Sequence, residues 1–244
     1  VPLAVMAVYS FNNSYYFGEW KGFTVKWYEQ LFHDAEVAIA LKNSLLVAVS
    51  SAIISVGLAI PAALAGTRQT RSLASLLIYP PVIIPEITEA VALMLMLLLL
   101  GFPLGAISVL IGHTAFNVAY AYIAISPIAG RGKNLTDAAR TLGADPKTAF
   151  LKIVVPLAMP GILAALGLTF MMSFTDFIKT LFTKGPGFDT LPILIWNRAR
   201  RPGLNPYTSQ SAIAALSTLL VIVSLLVALA YNFYVLSMEK EEQT

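Results

Sequence analysis

Residues 209–236 read SQSAIAALSTLLVIVSLLVALAYNFYVL, a run without a single Asp, Glu, Lys or Arg. A helix that crosses the hydrocarbon core of a bilayer needs about 20 mostly apolar residues, so this run predicts a membrane-spanning helix. Four runs upstream meet the same criterion, at 43–66, 73–100, 104–128 and 156–181. The apolar run 1–9 is interpreted as the end of a further span whose beginning is missing. Six transmembrane helices are expected, the first of them truncated.

The composition agrees with a membrane protein. Of the 244 residues, 57% are hydrophobic and 12% are charged, against about 25% charged in soluble domains. The mean hydropathy is +0.75, so lipid must cover much of the surface. The 16 Lys and Arg residues are scattered between the apolar runs, which argues against a nucleic-acid partner. The chain has no cysteine, which excludes disulfides and thiolate metal sites.

The expected architecture is all-α, a polytopic membrane helical bundle forming one transmembrane domain over residues 1–244. Backbone polar groups in lipid must be satisfied internally, which favours helices over an open sheet. The connections are an aromatic loop (10–41), a basic link (67–72), a turn (101–103), a polar loop (129–155) and a Gly/Pro-rich loop (182–208). Each side of the bundle would carry eight Lys and Arg residues, so the positive-inside rule does not assign the orientation.

The polar loop contains the segment 137–156, DAARTLGADPKTAFLKIVVP. Its pattern predicts two short helices around a turn. Asn134 would cap the first helix, Gly143 would take the left-handed conformation that ends it, and Asp145 with Pro146 would start the second. The pattern alone leaves two interpretations equally open: a ridge that docks on a partner protein, or a solvated loop on the lipid headgroups.

This segment resembles the EAA loop of the permease subunits of ABC importers. The residues that match the family pattern, with Asp137 in place of its Glu, are Asp137, Ala138, Ala139, Gly143, Ile153 and Pro156. The resemblance implies a type I ABC importer permease fold in the bacterial inner membrane. It also implies that the loop, together with Leu142, docks in the cytoplasm on one of two ATPase subunits. Those subunits bind ATP and magnesium, so the chain itself is expected to be non-catalytic and free of cofactors.

Further segments are similar to spermidine/putrescine-type permeases, namely 18–24 with 27–28, 85–86, 156–160, 173–176 and 183–186. The resemblance implies a polyamine-like solute, an extracytoplasmic binding protein that delivers it, and a second permease as partner, giving a heterodimer. The polyamine type tends to carry paired acids where this chain has residues 174–176. An opine, an amino acid or a phosphonate therefore stays open as the solute.

Three carboxylates within the predicted spans are candidates for a substrate pathway: Glu86, Glu89 and Asp176. Ionisable residues inside a membrane are costly and mark functional sites by default, and three acids would favour a cationic solute. Glu86 follows prolines that can break the helix. Two structural alternatives compete: Asp176 pairs with Lys179 at i, i+3, and Glu89 faces the partner permease.

His113, Asn117 and Tyr120 share one face of the fourth span. Such residues either line the pathway or, more commonly, bond a neighbouring helix. No second His or Cys lies at ligand spacing, so no metal site is predicted. Trp20, Trp27 and Tyr28 in the aromatic loop form either an interfacial belt or, with Asn205, a docking surface for the binding protein.

A self-sufficient secondary carrier is the rival from another class. Such carriers are built from inverted repeats with broken helices in corresponding positions. The sequence has one Pro-rich span and no matching second, which favours the importer permease.

Overall fold

The computed structural model describes residues 2–65, 78–141, 143–203 and 205–241. The α-helices are α1 Pro2–Tyr9, α2 Lys26–Phe32, α3 Ala35–Ala65, α4 Pro80–Ile83, α5 Glu86–Leu99, α6 Ala106–Thr141, α7 Pro146–Ala149, α8 Val155–Phe174, α9 Ile178–Thr183, α10 Leu191–Ala199 and α11 Gln210–Glu241. A π-helical turn, Phe150–Val154, joins α7 to α8, and a 3-10 helix, Pro206–Thr208, precedes α11. Across these residues the only β-pairing is one isolated bridge, Asn12 with Phe23. The predicted all-α fold is confirmed.

Four helices in the described part of the chain are long and apolar enough to cross a membrane. They are Ala35–Ala63, Ala106–Pro127, Lys147–Phe174 and Gln210–Phe233, and they correspond to four of the predicted spans. The predicted span 73–100 differs, because its described part is divided into the short helix α4 and the 14-residue helix α5. Residues 66–77, which include the basic link, lie outside the described residues.

Proline causes the break between α4 and α5. Pro85 has no N–H to donate and disfavours helical backbone at the residue before it. Ile84 accordingly has an extended ψ of 139° and Pro85 a ψ of 130°. The predicted break is confirmed, and the helix restarts at Glu86. Its carboxylate therefore lies in the first turn of α5, where the helix dipole favours negative charge.

A second break follows α8, which ends at Phe174, short of the predicted end at residue 181. The chain turns over residues 175–177 and restarts as α9 at Ile178. No proline or glycine marks this position, so the apolar pattern did not indicate it. Asp176, predicted to lie inside a helix, instead lies between two helices.

The centre of the bundle is formed by α3, α6 and α8, which pack against one another. The contact is lined by small buried residues, among them Ala59, Ala63, Ala121 and Ala165. The Ser55 hydroxyl donates a hydrogen bond to the Thr114 carbonyl across 3.2 Å. Small residues let membrane helices approach closely, and such polar bonds then join them. Burial of these helix faces against each other sets the positions of the residues described below.

One end of the bundle, here called the α2–α10 end, is closed by α2 and α10, which pack on α3 and α11. Trp27 is fully buried there, and its indole N–H donates to the Asn12 carbonyl across 2.7 Å. The Leu191 N–H donates to the Ser44 hydroxyl across 2.9 Å. The opposite end, called the α7 end, carries the hairpin between α6 and α8.

Gly185 touches the backbone at the start of α6. A Cβ at this position would lie 2.1 Å from the Leu104 carbonyl oxygen. Because backbone yields less than a flexible side chain, we expect Gly185→Ala to lower the free energy of unfolding by about 1–3 kcal/mol. Thermal unfolding in detergent measures the change. Gly105→Ala is the matched control, since nothing lies within 4 Å of a Cβ there, and equal stability of the two variants would contradict this contact.

Candidate functional site

The two helix breaks meet in a partly buried ionic cluster, defined here as Glu86, His113, Asp176 and Lys179. Glu86 begins α5, whereas Asp176 and Lys179 flank the start of α9, which packs against α5 and α6. The Lys179 ammonium lies 2.9 Å from the Asp176 carboxylate and also donates to the Glu86 carboxylate. One cation therefore bridges two acids on different elements.

Asp176 is bonded from several sides. Its Oδ1 accepts from the Thr180 backbone N–H at 2.9 Å and from the Thr180 hydroxyl at 3.1 Å, and His113 Nε2 lies 3.3 Å away. The Asp176 and His113 side chains are almost completely buried. The structure therefore supports the paired alternative for Asp176, with Lys179 as its partner.

His113 and Asn117 also bond neighbouring helices. His113 Nδ1 lies 2.6 Å from the Ser173 hydroxyl and Nε2 lies 2.9 Å from the Thr180 hydroxyl. The Asn117 amide donates to the Thr169 carbonyl across 3.2 Å. Both side chains are buried, so the helix-bonding interpretation is supported over direct contact with a solute. Tyr120, on the same face, is half-buried.

Glu86 differs from Asp176 in its exposure: 46% of its side chain is accessible. A carboxylate facing hydrocarbon near the middle of a bilayer is penalised by about 2.5–3.5 kcal/mol on insertion scales. This face of α5 is thus better suited to an aqueous path or a protein partner than to lipid. Glu89, one turn later, is half-buried, and its Oε1 has no hydrogen-bond partner among the described residues.

At the α7 end, the hairpin between α6 and α8 has a well-defined turn. Gly143 has a φ of +91°, and the Ala144 N–H donates to the Ala139 carbonyl across 3.0 Å. A left-handed glycine with this bond is a Schellman helix end. Asp145 Oδ2 then accepts from the N–H groups of Lys147 and Thr148, both at 3.1 Å. The predicted left-handed glycine and the predicted Asp145–Pro146 helix start are confirmed.

The hairpin differs from the prediction at its beginning. The helix start predicted at Asn134 is wrong, because α6 continues unbroken from the membrane through Asn134 to Thr141. The helix continues even though Gly132 and Asn134 have low helix propensity, because extending a helix that has already formed costs less than starting a new one. Of the predicted coupling residues, Asp137, Ala138 and Ala139 lie in the last turns of α6, Ile153 is half-buried in the π-helical turn and Pro156 is exposed in α8. Leu142 lies outside the described residues.

At the α2–α10 end, a groove of about 650 Å³ is lined by charged side chains, including Asp34, Glu36, Asp189, Arg198 and Arg201. Arg198 is buried and donates to Asp34 at 2.6 Å and to Glu36 at 2.9 Å. One Arg198 nitrogen, Nη1, has no partner among the described residues. The groove is thus a mixed-charge site at the end opposite to the hairpin.

The four predicted docking residues have different surroundings. Trp20 is exposed. The prediction that Trp27 is a docking contact is wrong, because its ring is fully buried. Its indole N–H instead holds the 10–25 loop by donating to the Asn12 carbonyl. The Tyr28 hydroxyl lies 2.6 Å from the Ser10 hydroxyl, and Asn205 caps the 3-10 helix by accepting from the Thr208 N–H at 3.0 Å.

A helical bundle with four helices long and apolar enough to cross a membrane and charged groups at two helix breaks is typical of a polytopic membrane transport protein. Residues 37–237 match the family described as the binding-protein-dependent transport system inner membrane component. The chain belongs to this family. It is the permease component of such a system, and it is located in the inner membrane.

Curated relatives agree over most of the chain. The spermidine/putrescine transport system permease protein PotC of Escherichia coli (strain K12) is 31% identical over 234 residues, covering 94% of this chain and 86% of that protein. The putrescine transport system permease protein PotI of the same organism is 31% identical over 231 residues, covering 90% and 80%. PotC of Haemophilus influenzae is 29% identical over 229 residues, covering 92% and 87%.

A solved structure shows the same fold. A chain of the MetNI methionine ABC transporter, in inward-facing conformations, matches with a TM-score of 0.62 at 19% identity. The match covers 88% of this chain and 98% of that one. The predicted ABC permease fold is confirmed.

Two features of the site were not predicted: the second partner of Lys179 and the exposure of Leu151. The sequence predicts Lys179 as a partner of Asp176, and in the structure it also bonds Glu86, 93 positions away in the sequence. The signal in the sequence was a single lysine within an apolar run, because a charge in such a run needs partners of opposite charge. Leu151, 52% exposed beside Lys152 on the hairpin, presents an apolar surface there. The signal in the sequence was its position between Lys147 and Lys152, which indicates an exposed stretch.

Proposed function

We propose that this permease subunit translocates a small cationic organic solute of the polyamine type. The observation that carries the proposal is the Glu86 carboxylate, which is nearly half exposed at a helix break on a face unsuited to lipid. Glu89 adds a second acid one turn away, with an unpartnered oxygen. Carboxylates of this kind suit ammonium groups. The names of the relatives PotC and PotI support the same solute class.

The partners we propose are a second permease, two cytoplasmic ATPase subunits and an extracytoplasmic binding protein. ATP and magnesium would be held by the ATPase subunits, and this chain would perform no catalysis. The hairpin at the α7 end suits a contact with an ATPase, because its described surface exposes Gly143, Asp145 and Leu151. The charged groove and Trp20, at the opposite end, suit the binding protein.

In this mechanism, the binding protein docks at the α2–α10 end and ATP closes the ATPase pair at the α7 end. The hairpin moves with the ATPase, and α6 and α8 move with the hairpin because they are continuous or nearly continuous with it. Coupling of this kind requires two arrangements of the permease that both partners favour differently. The ionic cluster lies where α5, α6 and α9 meet and would be rearranged between them.

The test of the proposed function combines uptake with co-purification. Cells lacking their own polyamine importers would express this chain with its partner subunits and be given labelled putrescine and spermidine. We expect ATP-dependent uptake and an ATPase that co-purifies with the chain. Uptake of an opine, an amino acid or a phosphonate in place of polyamines would show that the proposed solute class is wrong. Uptake without an ATPase would identify a secondary carrier.

Glu86→Gln is expected to lower the maximal rate of polyamine uptake about tenfold, because a hydrogen bond to a charged group contributes about 1.5 kcal/mol or more. The substrate concentration giving half-maximal uptake should change little, since the binding protein captures the solute first. Uptake rates over a range of putrescine concentrations measure both quantities.

Glu19→Gln is the matched control for this variant. Glu19 is an exposed carboxylate at the α2–α10 end, paired at 3.5 Å with Lys21 on the surface. Its uptake should equal that of the unmodified protein. An unchanged maximal rate in Glu86→Gln would remove Glu86 from the pathway.

A further inference from the structure

The ionic cluster contains an asymmetry between the two acids that share Lys179. Asp176 keeps bonds to the Thr180 N–H and the Thr180 hydroxyl and lies near His113 even if the lysine is ignored. The Glu86 carboxylate has one hydrogen-bond partner among the described residues, the Lys179 ammonium. Glu86 is therefore the acid whose partner can be exchanged.

Exposure separates the two acids in the same way. The Asp176 and Lys179 side chains are 1% and 5% accessible, whereas that of Glu86 is 46% accessible. A small molecule approaching the cluster can thus reach the Glu86 carboxylate but not Asp176. The Lys179 ammonium fills the inner side of Glu86 and leaves its outer side open.

An exchange at Glu86 leaves Lys179 paired. Removing one partner of a buried ion pair is strongly destabilising, since the other charge is left uncompensated. Here Lys179 retains Asp176 at 2.9 Å, and the Phe116 ring lies 5.8 Å from its ammonium. Lys179 can therefore release Glu86 at small cost.

We propose that Lys179 is a tethered substitute for the solute, whose ammonium group neutralises Glu86 in the empty permease and is displaced from it by the ammonium of the incoming amine. This inference rests on the proposed function and adds a specificity-determining residue to it. The lysine keeps Glu86 paired between transport cycles. It also weakens solute binding, because each amine must compete with it.

The test measures amine binding to the permease without the binding protein, which would otherwise set the apparent affinity. The complete permease–ATPase complex would be placed in lipid nanodiscs and titrated with labelled putrescine. Removing the competing ammonium in Lys179→Gln is expected to lower the dissociation constant about tenfold, from the contribution of a charge-assisted hydrogen bond. Lys179→Arg, which keeps a cation, is the matched control and should not bind more tightly than the unmodified complex.

Two more variants keep the inference open to refutation. Lys179→Gln with Glu86→Gln should lose the gain in affinity, because the acceptor is gone. If Lys179→Gln alone does not assemble, Asp176→Asn with Lys179→Gln removes the buried pair together and should show the same tighter binding. Unchanged or weaker putrescine binding in an assembled Lys179→Gln or double variant would overturn the role of Lys179. Absence of amine uptake by the unmodified transporter would instead overturn the proposed function.

Discussion

A Gly143→Leu variant is expected to insert into the membrane and fold, yet to import solute about 5- to 150-fold more slowly, the range for loss of a coupling free energy of about 1–3 kcal/mol. Gly143 adopts a φ of +91°, which strains any residue with a Cβ, although nothing lies within 4 Å of that position. The added side chain therefore costs backbone strain but meets no steric clash within the subunit. It would project from the hairpin into the surface that we propose for the ATPase contact.

Gly101→Leu separates backbone strain from coupling. Gly101 has a φ of +68° and equally open surroundings, but it lies in the turn between α5 and α6, at the end opposite to the hairpin. Uptake, membrane insertion and co-purification of the ATPase would be measured for both variants. We expect loss of uptake and of the ATPase for Gly143→Leu alone. Equal uptake by the two variants would count against the hairpin as the coupling contact.

Arg198→Met is expected to lower the free energy of unfolding by about 3–5 kcal/mol, the usual result of leaving a buried charge without its partner. Arg198 is 5% exposed and Asp34 is 8% exposed, and the pair is joined at 2.6 Å. Asp34 Oδ1 also accepts from the Glu36 N–H at 2.9 Å, so the pair ties the start of α3 to α10. Thermal and denaturant unfolding in detergent would measure the loss.

The double variant Arg198→Met with Asp34→Asn is expected to recover part of this stability. Asn keeps an oxygen for the Glu36 N–H while removing the uncompensated charge. Arg200→Met is the control, because Arg200 is exposed on the same helix end. If Arg198→Met were no less stable than Arg200→Met, the pair would not hold α3 to α10.

Much of the fold was predictable because lipid imposes simple rules on sequence. Long apolar runs had to become helices, and the prolines before Glu86 had to interrupt one of them. The end of α8 at Phe174 does not follow from the local pattern, because Asp176 at this break is also held by His113 of α6, which is distant in sequence. The continuation of α6 to Thr141 does not follow from the local pattern, because Asn134 suits a helix start whereas a helix that already exists extends more easily than a new one forms.

The candidate site was predicted one residue at a time but not as a set. Glu86 and Asp176 stood out as acids within apolar runs. The contact of Lys179 with both acids forms only because two helix breaks lie close together in the fold, and no local sequence pattern predicts that. Trp27 is a case in which the local pattern was misleading. An aromatic residue in an external loop suggests a docking surface, whereas the Trp27 ring is buried and its indole N–H donates to a backbone carbonyl.

The length of α6 has a mechanical consequence. His113, a member of the ionic cluster, and Thr141, at the hairpin, lie on one uninterrupted helix. At about 1.5 Å per residue the two are about 42 Å apart along its axis. A tilt of the hairpin end of α6 would therefore displace the end at the ionic cluster directly, without a series of side-chain contacts between them. Pro127 lies between them. Because it lacks an N–H to donate, α6 would bend most easily at this residue.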